Sequence, residues 1–105
     1  MNIHELENKA EMAAGLLTSM ANAKRLLVLC QLLDREVPVG ELAERVGLSQ
    51  SALSQHLAKL RAKGLVATRR DGQTIYYRLA SPEAHAVLES LHAIFCPREI
   101  EVVES

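Results

Sequence analysis

The hydrophobic period of this chain changes at Gly64, and that change restricts the possible folds more than any other feature. Before it, "GELAERVGLSQSALSQHLAKL" places Leu42, Ala43 and Val46, then Leu53, Leu57 and Leu60, at helical spacing. Gly47 divides this stretch into two short helices, small Ala43 permits their close approach, and Ser49 is positioned to cap the second. After Gly64 the period is two: "LVATRR", Asp71-Gly72, then "QTIYYRLA". An Asp-Gly pair between alternating runs predicts a β-hairpin with a type I′ turn. In that register Val66 and Thr68 share a face with Ile75 and Tyr77, and Arg69 and Arg70 sit near the tip.

The flanking segments are helical. Leu6, Ala10, Ala13, Leu17 and Met20 predict a first helix from about Glu5 to Met20. Asn22 is a suitable N-cap for "AKRLLVLCQLLD", which is apolar on most sides and belongs in the middle of a small domain. "REVPV" predicts a connection or short edge strand, because Pro38 removes a ladder donor. Ser81-Pro82-Glu83 combines a cap, a first-turn proline and an acid at the positive end of the helix dipole. The helix it starts runs to about Cys96, where Pro97 stops it. The expectation is one domain over residues 1–105, mainly α with a β-hairpin, in the order α-α-α-α-β-β-α. Only Tyr76, Tyr77 and Phe95 are aromatic, so Leu, Val and Ala must build its core.

Charge and polarity point to a partner. Net charge is −1, yet residues 45–78 contain seven basic residues and one acid, so a basic middle lies between acidic ends. The helix after Gly47 begins with Gln50, Ser51, Ser54 and Gln55, where a merely solvated face would more often use Glu and Lys. Short uncharged polar groups let a helix approach the major groove: Gln pairs with adenine in two hydrogen bonds, and Ser serves base edges or phosphates. An arginine-tipped hairpin next in the chain is placed to reach an adjacent minor groove or phosphates. Gln50, Ser51, Ser54, Gln55, Arg69 and Arg70 are therefore the expected contacts to double-stranded DNA, in a winged helix-turn-helix. His56, beside Leu57, suits packing or a phosphate contact.

Other classes lack support. There is no Cys-x-x-Cys, Gly-rich phosphate loop or spaced Ser, His and Asp set, so no enzyme and no cofactor are expected. The acidic N-terminus "MNIHELENKAE" does not resemble a secretory signal, and the apolar run Leu26–Leu29 is far too short for a membrane span. These features predict a cytoplasmic protein without membrane contact, in which Cys30 and Cys96 are reduced.

"MANAKRLLVLCQLL", "VGELAERVGLSQSALSQHLAKLRAKGLV" and "RRDGQTIYYRL" together resemble the ArsR/SmtB family of bacterial repressors, over roughly residues 12–96. The resemblance implies a homodimer formed by the first and last helices, bound to a dyad-symmetric operator until an inducer releases it. The stripe Ala84, Val87, Leu88, Leu91, Ile94, Phe95 fits such a pairing surface or an internal core. Two ligand sets of the metal-named members are missing. "PVGELAE" has no Cys-x-Cys, and Ser81 and Glu83 stand where an Asp-x-His would start the last helix. The resemblance is nearest to the paired-cysteine subgroup, sulfide-responsive or biofilm-growth-associated. It implies that Cys30 and Cys96 sense reactive sulfur species or oxidants by becoming linked.

The residues alone leave both cysteines open. Cys30 among Leu26, Leu27, Leu29 and Leu33 reads as a small buried hydrophobe, and Cys96 meets the negative end of a helix dipole, whereas His92 and Arg98 favour its thiolate. Two alternatives remain. His85, Glu89, His92 and Cys96 share one helix face and form a candidate metal stripe. A relative of the family also acts as an activator that displaces a nucleoid protein from promoters.

Overall fold

A computed structural model describes residues 3–96. Its elements are α1 (Ile3–Asn8), α2 (Ala10–Met20), α3 (Ala23–Gln31), β1 (Val37–Pro38), α4 (Val39–Val46), α5 (Gln50–Ala62), β2 (Val66–Asp71), β3 (Thr74–Leu79) and α6 (Pro82–Phe95). Pro97 and Arg98, invoked above, lie outside the described residues.

The helix-turn-helix forms as its pattern predicts. Leu42, Ala43, Val46, Leu53, Leu57 and Leu60 are all buried and share one core with Val28, Leu29, Leu32, Ala84 and Leu88. Gly47 turns the chain at φ +69°, a conformation that costs a residue without a Cβ little. Ser49 Oγ accepts from the Ala52 amide at 3.1 Å, which fixes the start of α5. Asn22 and Ser81 cap α3 and α6 in the same way, each at 3.0 Å.

β1, β3 and β2 form an antiparallel sheet in that order, so "REVPV" supplies an edge strand. The hairpin pairs Val66 with Leu79, Thr68 with Tyr77 and Arg70 with Ile75, which places Val66, Thr68, Ile75 and Tyr77 on one face. Its turn differs from the expected one. Asp71 pairs with Thr74, so the two central residues are Gly72 and Gln73 rather than Asp71 and Gly72. Positive φ falls on Gly72 (+64°) and not on Gln73. Glycine at the first central position with one positive φ is the type II′ pattern, not type I′.

Two helices also depart from expectation. The first is split at Lys9, which caps α2 through its backbone with no side-chain bond. Along α1 and α2 only Met20 is buried, whereas Ile3, Leu6, Met12 and Leu17 are exposed. Their periodicity marks an outer surface rather than the core of a single chain. α3 ends at Gln31 and a turn follows, with Asp34 at φ +66°. Val28 and Leu29 point inward while Leu27 and Cys30 point out, so α3 is amphipathic and not buried all round.

Candidate nucleic-acid interface and thiol pair

The first two turns of α5 present Gln50, Ser51, Ser54 and Gln55, all exposed, on the side away from buried Leu53 and Leu57. Ser51 Oγ lies 3.3 Å from the capping Ser49 Oγ. Lys59 and Arg61 fall in the last turn of α5, where cations suit the dipole and leave the N-terminal turns uncharged. His56 is half-buried beside Leu57, the environment of a packing residue at the rim of this face.

The wing brings the two arginines to different places. Arg70, one residue from the turn pair, is exposed. Arg69 reaches across the sheet to Glu36, just before β1, donating through Nε at 3.1 Å to both carboxylate oxygens and through Nη2 at 2.9 Å to one. Its guanidinium also stacks over Tyr76, 4.4 Å from the ring centroid. The hydrogen bonds from Arg69 are the main cause that holds the Glu36 carboxyl below its ordinary pKa. Arg69 thus braces all three strands in the free protein. Glu36 and Tyr76 escaped the sequence reading because the partner of Arg69 lies 33 positions away on an edge strand without a local signal.

Cys30 does not occupy the apolar interior that its neighbours in sequence suggest. It is exposed near the end of α3, as is Cys96, which caps α6 through a backbone bond to the His92 carbonyl at 2.8 Å. Protein packed around the Cys30 sulfur still pushes its pKa up, and charge on Cys96 adds to the rise.

The stripe kept as an alternative metal site divides. His85 Nε2 lies 2.9 Å from Asp34 Oδ1 and its Nδ1 lies 3.5 Å from Glu89 Oε1. Among the described residues, the donor set able to hold a metal ion is Asp34, His85 and Glu89, all within 4.8 Å, and it does not include His92 or Cys96. Asp34 was not foreseen, because only the left-handed turn after α3 brings it to α6. The imidazole between two carboxylates has a raised pKa, chiefly through its hydrogen bond to Asp34.

The last-helix stripe is shared between roles. Ala84 and Leu88 are core, Val87 packs against it, and Ile94 and Phe95 are 65% and 75% exposed. No helix among the described residues is long and apolar enough to cross a membrane.

Residues 22–68, from the α3 cap into the wing, match the family described as bacterial regulatory protein, arsR family. The chain is 54% identical over 96 residues to the transcriptional activator HlyU of Vibrio cholerae, covering 91% of this chain and 89% of that protein. It therefore belongs to the ArsR family of DNA-binding transcriptional regulators. Its identity to the nodulation protein NolR of Rhizobium meliloti is 57%, covering 87% of this chain and 75% of NolR. The biofilm growth-associated repressor of Xylella fastidiosa is 38% identical, with 94% and 87% covered. The solved structure of that repressor, BigR, superposes with a TM-score of 0.87 over 93% of this chain and all of its own. Reduced HlyU from Vibrio cholerae gives 0.84 over 88% of this chain and 97% of its own. A homodimeric winged helix-turn-helix DNA-binding domain from Mycobacterium bovis gives 0.73 at 27% identity, with 84% and 82% covered. HlyU and the biofilm growth-associated repressor are transcriptional regulators rather than enzymes.

Proposed function

We propose that this regulator is a homodimeric repressor of a dyad-symmetric operator, released when reactive sulfur species or oxidants link Cys30 to Cys96 within one subunit. The observation that carries the switch is the thiol pair: Cys30 near the end of α3 and Cys96 at the end of α6 are both free and exposed. Base readout falls to Gln50, Ser51, Ser54 and Gln55, and Arg70 and Arg69 hold the backbone from the wing. Pairing of subunits uses the exposed apolar residues of α1 and α2 with Ile94 and Phe95 of α6. The homodimeric relative from Mycobacterium bovis supports pairing of two subunits.

The sulfur chemistry is a two-electron oxidation. One thiolate attacks the sulfane sulfur of a low-molecular-weight persulfide, giving a protein persulfide and a thiol. The second thiolate attacks the cysteine sulfur, forming the disulfide and expelling hydrogen sulfide. A trisulfide consumes one further persulfide and tolerates a wider gap, because a direct disulfide needs Cα atoms within about 7 Å. The bridge joins the helix before the helix-turn-helix to the dimer-forming α6, so it alters the spacing of two α5 helices without touching DNA.

The test is intact mass, together with operator binding, after separate exposure to glutathione persulfide, peroxide and zinc. Loss of two hydrogens or gain of sulfur, with release of DNA, supports the proposal. Release by zinc without any covalent change refutes it and turns attention to Asp34, His85 and Glu89. The HlyU likeness favours one variation, in which the same DNA occupancy activates a promoter. A reporter carrying the operator separates the two by the sign of its response.

A further inference from the structure

Asp34, His85 and Glu89 reach one another from two parts of the fold. Asp34 stands in the turn after α3 at φ +66°, the one left-handed residue other than glycine among the described residues. That turn carries its carboxylate to α6, where His85 and Glu89 are four positions apart and so share one helix face. One ligand atom from each of the three lies within 4.8 Å of the others.

Hydrogen bonding inside the trio accounts for only part of this arrangement. His85 Nε2 meets Asp34 Oδ1 at 2.9 Å, a hydrogen bond, whereas Glu89 Oε1 stops 3.5 Å from Nδ1, beyond the ordinary range. The arginines that line the adjoining cleft with Asp34 and His85 are engaged elsewhere. Arg35 donates to Gln31, and the charge of Arg78 acts on Glu36. With its imidazole neutral, as a metal ligand must be, the trio carries two negative charges, the complement of one divalent cation.

Donor types and spacing narrow the choice of ion. One imidazole nitrogen with carboxylate oxygens suits zinc and its neighbours, whereas calcium seeks six or more oxygens. Bonds of about 2.1 Å hold neighbouring ligand atoms about 3.0–3.4 Å apart. The Nε2–Oδ1 separation of 2.9 Å is close to that, and Glu89 is exposed, so its carboxylate is free to turn toward the ion. The set differs from the Asp-x-His pattern sought at Ser81 and Glu83, because its aspartate comes from the turn after α3.

We propose that Asp34, His85 and Glu89 bind one divalent transition-metal ion of the zinc and cobalt class, which clips the turn after α3 to α6. The site uses neither thiol nor His92 and lies away from the base contacts assigned to α5, so it is independent of the thiol switch.

Cobalt(II) chloride is the probe, with calcium chloride as the oxygen-seeking control. On the full chain, equilibrium dialysis should show one cobalt per chain, and the thermal midpoint should rise with cobalt concentration. The visible spectrum should be that of an oxygen- and nitrogen-bound ion, with no thiolate charge-transfer band. Calcium should neither bind comparably nor raise the midpoint. Asp34→Gly removes one ligand at a position where glycine is at ease, so the turn is kept. That variant and His85→Gln should each weaken cobalt binding by more than about tenfold, since even the groups behind metal ligands are worth about 10–100-fold. Cys30→Ser/Cys96→Ser and His92→Gln should bind cobalt as the native chain does. Absence of cobalt uptake, uptake undiminished in Asp34→Gly or His85→Gln, or equal binding of calcium would each overturn the proposal. So would loss of uptake in the cysteine or His92 variants, which would place the ion on sulfur or on the far end of α6.

Discussion

If a Cys30–Cys96 bridge releases the operator, thermodynamic reciprocity requires that the operator resist the bridge. The cysteines are 66 positions apart, and closing a loop of that length removes enough chain entropy to stabilise the fold by about 4 kcal/mol, before any native strain. The oxidised protein should therefore unfold at a higher urea concentration than the reduced one. Strain is the difference between the measured gain and that ceiling. A tenfold loss of operator affinity corresponds to about 1.4 kcal/mol, a fraction of the ceiling, so a modest mismatch between the bridge and the DNA-bound geometry is sufficient.

The same coupling appears as a potential. Operator binds the reduced form more tightly, so saturating operator must make the cysteine couple easier to reduce. The shift is about 30 mV upward for each tenfold difference in affinity, since two electrons are transferred. The assay is redox titration in defined thiol–disulfide buffers, with and without operator duplex, read by intact mass. Cys30→Ser and Cys96→Ser should bind the operator and ignore persulfide. A potential that operator leaves unmoved would show that the bridge does not discriminate free from bound protein, and the two-thiol switch would be refuted.

Four further outcomes are expected. Gln50→Ala or Gln55→Ala should lose discrimination at particular base pairs, on the order of 1–3 kcal/mol for each lost bidentate pair, whereas Arg70→Ala should weaken all duplexes and flatten the salt dependence; both follow from binding titrations on operator and random DNA. Glu36→Gln should increase operator affinity in the native background but not beside Arg69→Ala, if Arg69 leaves Glu36 for a phosphate; equal gains in both backgrounds would show that Glu36 acts only by repulsion. Ile94→Glu, at an exposed position, should yield folded monomers that lose operator affinity, as sedimentation and duplex titration would show. His85 carries a raised pKa in the folded chain, so its stabilising contribution is complete below the ordinary histidine value of 6.5 and is lost as pH rises through the raised one; urea midpoints across that range should decline in the native chain and flatten in His85→Gln.

The helix-turn-helix and its caps were legible because their signals are local. Leu42, Leu53 and Leu57 repeat within a turn or two, and Ser49 meets an amide three residues on. The Arg69–Glu36 brace has no such signal, because it depends on β1 joining the far side of β3. Periodicity also leaves open which chain a face meets. Leu6 and Leu17 repeat as regularly as Leu53 and Leu57, yet they lie exposed while the latter are buried, the difference between an outer face, here the one proposed to pair subunits, and an internal core.

Cys30 was misplaced because composition was weighed over angle. Successive helical residues are about 100° apart, so Val28, Leu29 and Leu32 fall on one side and turn Leu27 and Cys30 away from it. That angle bears directly on function. A thiol enclosed by leucines would be both hard to ionise and hard to reach, and no persulfide could attack it. On the outward face only ionisation is impeded, by partial burial and by Cys96. Reaction should therefore speed up as pH rises toward the raised pKa, and Cys96→Ser should speed the alkylation of Cys30 by removing one of the two causes.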